Sequence, residues 1–120
     1  MKGSDLSGER GEDSKSRQVD TVTTRIFDPL GKRWSGRLIA VLLDGPVRFT
    51  EVHRAVPGIK VRMLSGRLAH LAAAGLVVRE VRAGPPLRVR YRLASAGVAI
   101  RPALEELRNC AVAHLGDPAW

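Results

Sequence analysis

The sequence has 120 residues, 44% of them hydrophobic, a length that supports one domain with a modest core and leaves little room for a second. Twenty Lys and Arg against twelve Asp and Glu give a formal charge of +8, which points to an anionic partner, either nucleic acid or an acidic surface. A single cysteine excludes an intramolecular disulfide, and no run forms a signal peptide or approaches the roughly 20 apolar residues of a membrane span, so a cytoplasmic protein with no membrane partner is expected.

Residues 1–18 are Gly, Ser and mixed charge with Leu6 as the one large apolar side chain beyond Met1. Such a segment buries too little surface to offset its ordering entropy, and it reads as a disordered tail. The main domain is expected over residues 19–115. Apolar and β-branched residues from Val19 to Phe27 suggest a short first helix that stops before Pro29, since proline disfavours the α region for the residue ahead of it. Lys32–Asp44 is the clearest core helix, with Trp34, Leu38, Val41 and Leu42 on one face, Trp34 as a packing anchor, and Gly45-Pro46 as its stop. Val47–Phe49 is short and extended, and Thr50 suits the N-cap of a helix over Glu51–Val56.

Pro57-Gly58 turns the chain into Ile59–Leu71. There Leu64, Leu68 and Leu71 share one stripe, while Arg62, Ser65, Gly66 and Ala69 fall on the opposite face. Two short helices joined by a Gly-containing turn, the second amphipathic and basic, follow helix-turn-helix grammar. Leu76–Arg82 and Leu87–Leu93 flank Ala83-Gly84-Pro85-Pro86 and read as a hairpin. Its second strand alternates Leu87, Val89, Tyr91 and Leu93 with Arg88, Arg90 and Arg92. From Ser95, a suitable N-cap, a last helix runs to about Leu115 with Ile100, Leu104, Leu107 and Ala111 on one stripe, and Pro102 either kinks it or marks its start. That wide apolar face is expected to pair with a second subunit. Residues 116–120 form a C-terminal tail.

The charge is concentrated. Between Lys60 and Arg92 there are eight basic residues and a single acid, Glu80. Mostly α with a small β-hairpin, the expected architecture is a winged helix-turn-helix (α+β) that meets DNA with its second helix and its hairpin. An enzyme is disfavoured, because there is no Gly-rich phosphate loop, nucleophile elbow or carboxylate pair on a credible scaffold. His53, His70, His114 and Cys110 lack metal-ligand spacing, so neither a zinc site nor any cofactor is expected.

Gly31-Lys32-Arg33-Trp34, Leu43-Asp44-Gly45-Pro46, Arg48-Phe49-Thr50-Glu51-Val52, Pro57-Gly58-Ile59, Leu64-Ser65, Arg67-Leu68, Ala74-Gly75-Leu76-Val77, Pro85-Pro86 and Tyr91-Arg92-Leu93 stand in the order and spacing of one family. Over roughly residues 20–115 the chain resembles the HxlR family of bacterial transcriptional regulators. The resemblance implies a homodimer built from the first and last helices, with Ile26, Leu104, Leu107 and Ala111 at the interface. It also implies a repressor or activator role on a palindromic double-stranded operator. Redox-responsive members carry a cysteine near the start of the first helix. Thr21 stands there in this chain, and a hydroxyl cannot form a thiolate or a disulfide. Control by a small aromatic or apolar effector, bound non-covalently near Phe27, Trp34, Leu38 and Leu107, is the expectation. A non-regulatory or architectural nucleic-acid binder is the alternative.

For DNA contact, Arg62 is the leading candidate base reader, since Arg to guanine O6/N7 is the commonest specific pairing, with a phosphate contact or a solvated charge as an equal alternative, and Ser65, facing the same way, suits a base or a phosphate. Lys60, Arg82, Arg88 and Arg90 suit phosphates, which position without specifying, and Thr50 reaches a phosphate or only caps. Arg67 lies toward the buried stripe and suits backbone clamping or an internal salt bridge. Lys60 and Gly66 replace the capping serine and the glutamine that are frequent in the family, which weakens direct readout at position 66. Cys110 is expected to be a buried, inert thiol, with a cross-link between paired last helices of two subunits as the alternative.

Overall fold

Burial of three leucines decides how this chain folds. In the computed structural model, which describes residues 17–116, Leu64, Leu68 and Leu71 are fully buried against Leu38, Ile39 and Leu42, Val52 and Val56, and Leu76, Val77 and Leu93. The elements that carry them are α1 (Thr21–Leu30), α2 (Ser35–Leu42), β1 (Val47–Arg48), α3 (Phe49–Ala55), α4 (Val61–Ala73), β2 (Val77–Arg82), β3 (Arg88–Leu93), α5 (Ser95–Val98) and α6 (Arg101–His114). This is the expected winged helix-turn-helix, mostly helical with a small antiparallel sheet. Most of the tail expected over residues 1–18, and residues 117–120 of the C-terminal one, lie outside the described residues.

The α1 helix starts at Asp20, whose carboxylate accepts the Thr23 amide at 2.6 Å. That hydrogen bond holds the Asp20 carboxyl below its ordinary value. The helix does not stop before Pro29 but ends one residue beyond it, at Leu30, so the missing proline N–H touches only the last turn, and the ring itself is buried. Nor does α2 begin at Lys32. Trp34 takes a left-handed backbone (φ 80°, ψ −22°) as its N-cap, a conformation rare for residues with a side chain. Its ring is packed on both local and distant neighbours. The Arg33 and Arg37 guanidiniums lie 5.1 and 5.2 Å from the centre of the Trp34 ring, and the ring edge packs over Gly58, where any Cβ would sit 3.6 Å away.

The α3 helix begins at Phe49, so Thr50 lies within its first turn and does not cap it. Arg48 is the N-cap, and the Glu51 carboxylate accepts its amide at 3.2 Å, one half of a capping box. His53 donates from Nε2 to the Ile59 carbonyl at 2.9 Å and closes the turn into α4. Lys60, the N-cap of α4, supplies no side-chain bond. A hydrophobic staple between Ile59 and Leu64, both buried, fixes the entry of the chain instead. The exit is a Schellman turn, in which Gly75 at φ +83° lets the Leu76 amide reach the Leu71 carbonyl and its own amide reach Ala72, each at 3.0 Å.

The sheet order is β1-β3-β2. By its residues alone, the two-residue strand β1 is only an extended segment. It becomes an edge strand because Val47 and Arg48 pair with Tyr91 and Arg90. The last helix is divided. Pro102 falls in the first turn of α6 and marks its start, and Ser95 is the first residue of α5, with Ala94 as N-cap. No residue of α6 is buried, and Cys110, expected to be a buried thiol, is exposed, because only Ile100 and Leu104 at the near end reach the core.

Two glycines lie in opposite environments. A Cβ on buried Gly97 would collide with the Leu76 carbonyl oxygen and stand 3.0 Å from Leu93 Cδ2, whereas one on Gly66, in the exposed face of α4, would meet nothing within 4 Å. Denaturant unfolding should therefore find Gly97→Ala less stable by about 1–3 kcal/mol. Gly66→Ala should be more stable by about 0.8–1 kcal/mol, the helix propensity regained. Equal effects of the two substitutions would contradict this packing.

Candidate nucleic-acid interface

With its leucines turned inward, α4 exposes Val61, Arg62, Met63, Ser65, Gly66 and Ala69, preceded by exposed Lys60. The first turn carries no acidic residue. Helix N-termini bear partial positive charge and favour anionic side chains, so cations at Lys60 and Arg62 oppose the helix dipole unless an external anion faces the same turn. Arg62 and Ser65 thus occupy the outer face, as expected. Arg67 does not. It is partly buried, and its Nε donates to the Arg33 carbonyl at 2.9 Å, which braces α4 against the turn ahead of α2.

The wing gathers a second group of cations. Register pairs Arg82 with Arg88, Arg90 with Glu80, and Arg48 with Arg90, so these side chains share one face of the sheet. Together with Val81 they line a shallow concavity of about 400 Å³. Directly opposed like charges destabilise an isolated sheet, and Glu80 relieves only part of the strain. Its carboxylate bridges Arg92 Nε at 2.6 Å and Arg90 at 3.1 Å, and the Arg92 hydrogen bond, with the charge of both guanidiniums, holds Glu80 below its ordinary value. Arg48, Arg82 and Arg88 are left facing a space whose chemistry fits phosphate oxygens. Sequence reasoning brings forward Arg82, Arg88 and Arg90 but misses Arg48. The alternation of Val47, Arg48 and Phe49 is a signal for a strand, and only pairing with β3 places Arg48 beside Arg90.

Of the residues assigned to an effector pocket, Leu38 belongs to the core cluster and Trp34 packs against that cluster, partly covered by Arg33 and Arg37, while Phe27 and Leu107 lie at the surface, 62% and 65% exposed. Thr50 is exposed in the first turn of α3. Among the described residues, no three of His, Cys, Asp and Glu are grouped to hold a metal ion, and no helix is long and apolar enough to cross a membrane.

The family model of HxlR-like helix-turn-helix proteins matches residues 29–117. The HTH-type transcriptional regulator YodB of Bacillus subtilis is 40% identical over 82 residues, covering 68% of this chain and 73% of YodB. Reduced YodB, also solved in diamide-treated and quinone-bound forms, superposes with a TM-score of 0.73 at 35% identity, over 83% of this chain and 100% of that one. The redox regulator HypR in its reduced form gives 0.72 at 32% identity, over 78% and 92% of the two chains. A winged helix with a cationic outer helix and an arginine-lined wing, matched over most of its length by regulators of this kind, belongs to the HxlR-like helix-turn-helix family of DNA-binding transcriptional regulators.

Proposed function

We propose that this chain acts in the cytoplasm as a homodimer that lays two α4 helices into successive major grooves of a palindromic operator, with the wings on the flanking phosphates. The observation that carries the reading is the cationic first turn of α4, held outward by its leucine stripe, together with the arginine concavity of the wing. Arg62 and Ser65 read base edges. Lys60, Arg48, Arg82, Arg88 and Arg90 hold phosphates, Thr50 touches the backbone, and Arg67 acts indirectly by fixing α4. Dimerisation is supported by apolar surface that one chain leaves uncovered: Phe27 on α1, and Leu107, Val112 and Leu115 at α6 and its end, are exposed, with Ile26, Leu104 and Ala111 partly buried beside them.

Control is non-covalent in this reading. YodB has been solved after diamide treatment and with quinone bound, and HypR in an oxidised form. Here Thr21, at the start of α1, offers no thiolate. A small aromatic or apolar effector is accommodated between subunits, where Phe27, Trp34 and Leu107 of α1, α2 and α6 are completed by the partner chain. Leu38 supports that site from the core.

Selection from a random DNA library should return two inverted half-sites. Arg62→Ala should lose preference at one position in each, at about 1–3 kcal/mol. A single half-site would refute the dimer, and an unchanged preference would refute Arg62 as reader. Glu80→Gln frees Arg90 and Arg92, so affinity for random-sequence DNA should rise, and the slope of log K against log salt should steepen by about 0.9 for each additional phosphate neutralised. An unchanged slope would show that these arginines do not reach DNA. Operator binding should also survive diamide. Release from the wild type but not from Cys110→Ser would establish thiol control instead.

A further inference from the structure

The first turn of α4 leaves two large apolar side chains exposed, Val61, which flanks the leucine stripe three residues before Leu64, and to a lesser degree Met63. Val61, the first helical residue, is 54% exposed. The staple that fixes the helix entry uses Ile59 and Leu64 and makes no demand on it. As a β-branched residue, it is also a poorer helix former than the straight-chain side chains that solvent-facing positions favour. It stands between two exposed cations, Lys60 and Arg62, on the turn that recognition helices present to base edges.

A major-groove edge offers acceptors, donors and one apolar group, the 5-methyl of thymine. Lys60 and Arg62 find partners among phosphates and the acceptors of guanine, whereas Val61 has neither donor nor acceptor. Only the methyl group matches it. Resting on the reading that α4 enters the major groove, we propose that Val61 is a specificity-determining residue that selects thymine at one position in each half-site by burying its 5-methyl group. Val61 then adds an apolar contact, a packed thymine methyl, to the polar base contacts of Arg62 and Ser65, and the larger polar readout a glutamine would provide at position 66 is absent.

The test uses duplexes carrying the sequence that the wild-type protein selects from a random library, with each thymine replaced in turn by uracil, which removes only the methyl group. Titrations followed by fluorescence anisotropy compare wild type, Val61→Ala and Val61→Ile. Uracil at one position per half-site should weaken wild type and Val61→Ile about fourfold, the loss of one methyl-sized apolar contact. Val61→Ala should bind the thymine and uracil duplexes alike. If wild type is indifferent to uracil everywhere, or Val61→Ala is as sensitive as wild type, the inference is wrong while the assignment of α4 to the groove survives. Failure to select any preferred sequence overturns both.

Discussion

The rotational setting of α4 is the constraint on which everything outward-facing depends. Three leucines on one stripe, each removed from water, lock the helix about its own axis, because a turn of even one residue position would expose a leucine and bury a polar group. Once that angle is set, Arg62 and Ser65 have no other side to occupy. The neighbouring devices serve the same end: the staple and the His53 hydrogen bond at the entry, the Schellman turn at the exit, and Arg67 tied to the Arg33 carbonyl. Trp34 joins them by packing over Gly58, and its left-handed backbone is the local strain that accompanies this contact.

Electrostatics on the wing follow a different logic. The strands are held by ladder hydrogen bonds and by Val77 and Leu93 at the base, which leaves the outer part free to carry repelling side chains. Arg48, Arg82, Arg88 and Arg90 use that freedom, and Glu80 keeps the hairpin tolerable without neutralising it. A surface so arranged has long-range attraction for a polyanion but little means to distinguish one base pair from another. In the proposed function, sequence discrimination therefore falls to α4. Its small set of readers makes each of them matter more.

The first and last helices are where the proposed second subunit would meet this chain. Helix α6 contacts the core only at its beginning and then carries exposed Leu107 and Val112 away from it, while α1 exposes Phe27. Exposed apolar faces on two separate helices are unfavourable for a lone chain in water, and the symmetric partner proposed above would cover both at once.

Much of this is legible in the residues. Period-3.6 leucines, period-2 arginines and Gly/Pro punctuation locate the helix-turn-helix and the hairpin, because local sterics and side-chain partition act over a few residues and leave periodic traces. Charge counting finds the basic stretch for the same reason. What the residues do not disclose are pairings across distance. Arg48 beside Arg90, Arg67 against the Arg33 carbonyl, the left-handed Trp34 over Gly58, and the exposure of Cys110 each depend on which elements meet. Local rules miss the helix boundaries at Pro29 and Thr50 because a buried ring and a backbone amide held by Glu51 outweigh the usual preferences there. Sequence determined which face of α4 is dry and where the positive charge lies. Tertiary structure decided which cations remain free to meet an anion, because only packing assigns each polar group its partner.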